Sequence, residues 1–140
     1  MRRIGMIVAA AAAVPTLVAG PTVAAAAPAS ADAYPTLNFL IKDGTGGYYS
    51  GTVTFYNRSV GVIGSFNASG CERAYATSLV DLKALDARST SLHCDTVTSG
   101  SFSLSADVPG GANRVYLAIK SEYGRVYDFT NCWRETMICN

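Results

Sequence analysis

Residues 114–120, RVYLAIK, decide the fold class, because apolar and polar side chains alternate along this stretch. Val115, Leu117 and Ile119 share one side, which is the pattern of a β-strand with one buried face. The same alternation recurs nearer the N-terminus, in residues 36–42, 49–56 and 60–66. Gly, Asn, Asp and Pro residues separate these stretches and favour turns. The sequence therefore predicts seven or eight short, regularly spaced strands, which are typical of an antiparallel β-sandwich.

The predicted fold is all-β: a small antiparallel sandwich of the Ig-like type, with two disulfides and an N-terminal extended arm. Residues 75–88, YATSLVDLKALDAR, are the ambiguous part of this prediction. The spacing of Leu79, Leu82 and Leu85 also suits one face of a helix. Because the neighbouring stretches all resemble strands, we expect two strands that meet near Asp81.

The first 31 residues differ in kind from the rest of the chain. Arg2 and Arg3 precede an alanine-rich apolar run, and Ala29-Ser30-Ala31 forms a small-residue cleavage site. This pattern predicts a signal peptide over residues 1–31, cleaved before Asp32, and hence a secreted, extracellular protein. A membrane anchor is the competing interpretation, but Pro15 and Gly20 interrupt the run.

The charge of the remaining chain excludes two kinds of partner. Without Arg2 and Arg3, nine of the eleven basic residues remain beside the ten acidic ones. Electrostatic binding of nucleic acid or anionic lipid requires a concentrated basic charge. We therefore expect no nucleic-acid partner and no membrane insertion.

Four cysteines in an exported chain indicate two disulfides. Cys71–Cys94 together with Cys132–Cys139 is the favoured pairing, since each pair brackets a local stretch, although spacing alone leaves all three pairings open. A zinc site competes weakly, because the chain has no C-x-x-C motif and His93 is its one histidine. We expect no metal and no cofactor.

Candidate catalytic groups are sparse in this sequence. His93 could serve as a base with Ser91 or Asp95, yet a histidine beside a half-cystine more often has a structural role. Acidic residues in turns offer weak candidates for a pair of catalytic carboxylates. The expected protein is not an enzyme.

The domain prediction places an N-terminal arm and glycine-rich linker at residues 32–47 and the sandwich domain at residues 48–140. Gly44, Gly46 and Gly47 would let the preceding segment detach and offer its apolar side to a partner. The alternative is that this segment is the first strand of its own sandwich. The predicted partner-binding residues are Tyr34, Leu37, Phe39, Ile41 and Trp133. Trp133 could equally cap the core against a disulfide.

The layout of leader, arm and two-disulfide β-domain resembles the small secreted adaptor subunit of the umbrella toxin particles of streptomycetes. The stretches 51–59, GTVTFYNRS, and 107–111, DVPGG, also look like secreted actinobacterial proteins of this type, as do the positions of Cys71 and His93-Cys94. The resemblance implies an adaptor that joins a lectin-like subunit, with a trypsin-like fold, to a repeat-bearing toxin subunit. It also implies that residues 34–41 insert into the repeat-bearing subunit.

The leading hypothesis is therefore a non-enzymatic interaction module of an antibacterial toxin complex that serves interbacterial competition. A secreted protease inhibitor is the first alternative, with residues 108–113 or 131–139 as the loop presented to a protease. A small extracellular enzyme that uses His93 is the second.

Overall fold

The computed structural model describes residues 33–140, so the predicted signal peptide and its cleavage before Asp32 lie outside the described residues. The described part is all-β, as predicted. Its strands are β1 (Thr36–Lys42), β2 (Tyr48–Phe55), β3 (Ser59–Asn67), β4 (Cys71–Val80), β5 (Lys83–Ser89), β6 (His93–Cys94), β7 (Val97–Ser99), β8 (Phe102–Ser105), β9 (Arg114–Ser121), β10 (Val126–Trp133) and β11 (Ile138–Cys139).

The strands form two antiparallel sheets that pack face to face. The first sheet has the order β1-β2-β3-β7, and β8 also pairs with β3. The second sheet has the order β11-β10-β9-β4-β5, and β6 also pairs with β4. This arrangement confirms the prediction of an antiparallel sandwich.

Alternation along the strands supplies the core between the sheets. Inward positions carry apolar residues that are almost fully buried, and the rings of Phe39, Tyr49 and Phe66 pack edge to face. The buried Tyr49 hydroxyl donates a hydrogen bond to the Gly100 carbonyl at 2.6 Å, so its polar end is satisfied. The largest buried apolar side chains are Ile41, Tyr49, Val53, Phe55, Val60, Val62, Phe66, Leu104, Val115, Leu117 and Ile119.

The ambiguous residues 75–88 fold as two strands that meet at a turn, as expected. Asp81 takes a left-handed conformation at the turn, with φ of 53°, and Asn113 accepts the backbone N–H of Asp81. Leu82 is 89% exposed. The leucine spacing that suits a helix therefore does not form one buried face.

The segment interpreted as a detachable arm is the first strand of the sandwich. β1 pairs with β2 over seven residues, from Thr36↔Thr54 to Lys42↔Tyr48. Leu37, Phe39 and Ile41 are 5%, 5% and 1% exposed, because their side chains complete the domain's own core. The residues of the predicted glycine-rich linker form the turn between β1 and β2. The structure thus takes the alternative in which this segment belongs to the sandwich.

Two disulfides link neighbouring strands, with the favoured pairing confirmed. Cys71–Cys94 joins β4 to β6, and Cys132–Cys139 joins β10 to β11. The bridges span 23 and 7 residues of sequence. Such cross-links restrict the unfolded chain and stabilise a domain with a modest core.

Candidate functional site

The outer face of the second sheet carries an unusual concentration of aromatic and basic side chains. Core residues occupy the inward positions of β4, β9 and β10, so the alternate positions point away from the first sheet. Cross-strand register aligns these outward positions in rows. We call them the aromatic–basic face, whose residues are Arg73, Tyr75, Thr77, Arg114, Tyr116, Ala118, Lys120, Val126, Phe129, Asn131 and Trp133.

The middle row of this face is built around a small residue. Ala118 of β9 lies opposite Tyr75 of β4 on one side and Phe129 of β10 on the other. Ala118 is fully buried although it is not a member of the core cluster, and larger aromatic residues flank it on both neighbouring strands. Phe129 itself remains 53% exposed. A small central residue between two rings thus forms the middle of a broad apolar surface.

The aromatic rings of the face contact one another. The ring centroids of Tyr116 and Phe129 lie 5.5 Å apart at an interplanar angle of 31°. Burial within this packing raises the pKa of the Tyr116 phenol. Because the rings hold each other in place, little side-chain freedom remains to be lost when a partner binds.

Cations lie over two of the rings. Lys120 Nζ is 4.3 Å from the centroid of Tyr75, and Arg114 Cζ is 5.0 Å from the centroid of Trp133. In the part of the chain that the structure describes, the ion pairs are Arg58–Asp107 and Arg88–Asp86. The basic residues of the face therefore have no carboxylate partner within residues 33–140, and rings position two of them.

The structure separates the predicted partner-binding residues. Trp133 is half-buried on the aromatic–basic face, whereas its neighbour Cys132 points into the core. Tyr34 is 46% exposed, and the centroid of its ring lies 4.9 Å from that of the Tyr56 ring. The three predicted apolar residues of β1 lie in the core. Only Trp133 among the predicted residues thus belongs to the face described above.

Sequence reasoning missed Tyr75, Tyr116 and Phe129 as a group. A signal was present in residues 114–120, whose outward side reads Arg, Tyr, Ala and Lys. The register that brings β4 and β10 to either side of β9 cannot be read from that stretch, since it depends on pairings between distant parts of the chain.

The predicted catalytic candidates form local contacts. Ser91 Oγ lies 3.1 Å from His93 Nε2, but the Asp95 carboxylate accepts the backbone N–H of Gly70 at 2.7 Å. Asp95 is therefore engaged at a turn instead of orienting the imidazole. Among residues 33–140, no group of three or more His, Cys, Asp and Glu side chains is placed to hold a metal ion.

A buried carboxyl pair lies where the β1–β2 turn meets β4. Asp43 accepts the backbone N–H groups of Thr45 and Gly47 at 2.7 and 2.9 Å. Although burial opposes it, these donors hold the pKa of Asp43 below its usual value. Glu72 is 2% exposed, and desolvation, followed by its hydrogen bond with Asp43, raises its pKa to about 7. The Glu72 carboxyl also accepts the backbone N–H of Ser69 at 3.2 Å, so the two acidic residues help to fix this turn.

An open groove of about 570 Å³ runs along the outer side of the same hairpin. Leu40 and Tyr48 supply its apolar walls, and Lys42 is the charged residue that lines it. Because three of its seven lining residues are glycines, the groove offers few polar side chains that could orient a ligand.

Comparisons of the chain with protein-family models, with curated proteins and with solved structures find no match. A search of residues 33–140 for helices long and apolar enough to cross a membrane finds none. The geometry of the aromatic–basic face is therefore the main indication of what the candidate site can bind.

Proposed function

We propose that the protein is a secreted, non-enzymatic protein–protein interaction module. The aromatic–basic face supports this proposal, because Tyr, Trp, Phe and Arg are the residues enriched at the centres of protein interfaces. A contiguous apolar patch of this kind on a small domain marks an interaction site. Two disulfides and the packed rings keep the surface in one conformation, which lowers the entropic cost of binding.

The more specific proposal is an adaptor of an antibacterial toxin complex that joins a lectin-like subunit to a repeat-bearing toxin subunit. An adaptor needs two separate surfaces. The aromatic–basic face supplies the first, on the second sheet. β1 supplies the second, since it is the terminal strand of the first sheet and its outer edge can pair with an added strand. The exposed Tyr34 lies just before this edge strand.

Contact through β1 as an edge strand differs from insertion of a detached arm. Insertion of the apolar side of β1 into a partner would remove Leu37, Phe39 and Ile41 from the core. Losing three buried apolar side chains costs several kcal/mol, which is comparable to the stability of a small domain. Edge pairing leaves these side chains in place.

Purification of the native protein from culture fluid, with mass spectrometry of the proteins that accompany it, tests the proposed function. Phe129→Ala and Trp133→Ala are expected to lose one partner while they keep the wild-type melting temperature within a few degrees. Ile63→Ala is the matched control, because Ile63 is 72% exposed on the outer face of the first sheet. Loss of the partner from the control variant alone would refute binding through the aromatic–basic face.

A solitary protein that turns over a substrate would overturn the adaptor proposal as a whole. Substitution His93→Ala addresses that outcome, because it removes the histidine nearest to a candidate nucleophile. We expect His93→Ala to capture the same partners as the wild type.

A further inference from the structure

The aromatic–basic face is basic even though the domain is neutral. Without Arg2, Arg3 and Asp32, nine of the eleven basic and nine of the ten acidic residues remain. The outward register positions of β4, β9 and β10 hold three of these cations and none of the carboxylates. Two carboxylates lie near the face, Glu122 at the β9–β10 turn and Asp128 at the bulge of β10. Both are at the end of the face that holds Arg73 and Lys120.

The cations of the face occupy its two ends. Arg73 and Lys120 lie opposite each other in one row, and Arg114 lies at the other end of β9. Lys120 lies six residues after Arg114 along β9, which corresponds to about 20 Å along an extended chain. The Tyr75, Tyr116 and Phe129 rings fill the space between these ends.

An apolar partner alone would leave these cations unpaired when it covers the rings. Covering a charge without giving it a partner removes its hydration uncompensated and opposes binding. A second copy of the chain would place cations against cations. The complementary surface is therefore one that carries carboxylates at both ends and apolar groups between them.

We propose that the aromatic–basic face binds an extended polypeptide segment with acidic residues at both ends and apolar residues between them. The inference rests on the proposed function, and it names the chemistry of the partner at that site. The acidic ends pair with Arg73 and Lys120 at one end and with Arg114 at the other. The apolar middle packs on Phe129 and its neighbouring rings.

Trp133 makes the proposal measurable, because it is the one tryptophan of the chain and it lies against Arg114. The probe is a synthetic peptide of about seven residues with Glu at both ends and Leu and Phe in the middle. A peptide with Lys in place of Glu is its matched counterpart, and dextran sulfate serves as a polyanion without apolar groups. Saturable change of Trp133 fluorescence is expected with the Glu peptide and none with the Lys peptide.

Substitutions then assign the binding to the face. Lys120→Met and Arg73→Met should each weaken the Glu peptide about threefold, as the loss of a partly exposed charge pair does. Phe129→Ala should weaken binding of the Glu peptide by more than either charge substitution does. Lys42→Met is the control, since Lys42 is an exposed cation on the outer side of the first sheet.

Equal binding of the Lys peptide, or no fluorescence change with millimolar Glu peptide, would overturn the inference. Binding of dextran sulfate that equals that of the Glu peptide and ignores Phe129→Ala would also overturn it, because it would show a general polyanion surface. None of these results touches the proposed function, which is tested separately by whether Phe129→Ala and Trp133→Ala lose the co-purified partner.

Discussion

The two sheets of the sandwich have similar inner faces and opposite outer faces. Both inner faces are apolar and meet in one core. The outer face of the first sheet consists largely of Thr, Ser, Asn and Gly, with Leu40, Ile63 and Val97 as exposed apolar residues and with Lys42 and Tyr48 at the end near the β1–β2 turn. The outer face of the second sheet carries stacked rings and cations instead.

The comparison distinguishes side chains that stabilise the fold from side chains that the fold does not require. An antiparallel sheet with one buried face is stable with a polar outer side, as the first sheet demonstrates. Apolar rings on the outside of the second sheet are therefore not needed to complete the core. Their placement is the observation on which the proposed binding role rests.

The largest expected effect contrasts the two sides of β1. Phe39→Ala removes a ring that is 5% exposed and in contact with Tyr49, so the free energy of unfolding should fall by about 3–5 kcal/mol. Leu40→Ala removes a side chain that is 58% exposed and should cost less than about 1 kcal/mol. Urea unfolding measures both. Equal, small effects would mean that β1 is a dispensable arm after all.

A pH titration of stability tests the carboxyl pair that lies where the β1–β2 turn of the first sheet meets β4 of the second sheet. Glu72 has a pKa of 4.5 in an ordinary environment and about 7 when folded, so the unfolded chain releases this proton at lower pH. Stability should therefore decline as pH rises from 4.5 through about 7, by about 3 kcal/mol in all. Urea unfolding at a series of pH values measures the decline.

Two variants assign the decline to the carboxyl pair. Glu72→Gln keeps a neutral donor toward Asp43 and should flatten the pH profile while leaving the low-pH stability close to that of the wild type. Glu135→Gln changes an exposed residue and should leave the decline intact. A persistent decline in Glu72→Gln would assign it to another group.

Removal of each disulfide compares the two regions on a smaller scale. Replacement of Cys71 and Cys94 by Ala should cost about 3 kcal/mol, and replacement of Cys132 and Cys139 about 2 kcal/mol, because the second bridge closes the shorter loop. The less costly change should nevertheless weaken partner binding more, since Cys132 adjoins Trp133. Calorimetry of folding and binding measures both. The opposite ranking for binding would place the partner near Cys71.

Much of the fold follows from patterns within single stretches. Alternation in residues 114–120 and its relatives predicts the strands, and the strand-like neighbours of residues 75–88 resolve that ambiguous region correctly. The favoured cysteine pairing is confirmed as well, although spacing alone left all three pairings open. Strand positions of this kind can be recognised within a single stretch of sequence, without knowing which strands pair with each other.

The status of residues 36–42 could not be settled in this way. An edge strand and a detachable arm share the same alternation, and three glycines suit a hairpin turn as well as a linker. What decides the matter is the seven-residue register with β2, together with the Asp43 hydrogen bonds that close the turn. The composition of the aromatic–basic face could not be predicted either, because strands from distant parts of the sequence build it.

Hydroxyl-radical footprinting of the protein with and without its co-purified partner tests the central claim most directly. The account predicts that the partner protects the aromatic rings of the second sheet, Phe129 and Trp133 most strongly. Tyr48 and Ile63 on the outer side of the first sheet should react equally in both samples. Protection of Tyr48 and Ile63 with unchanged reactivity of Phe129 and Trp133 would contradict the account.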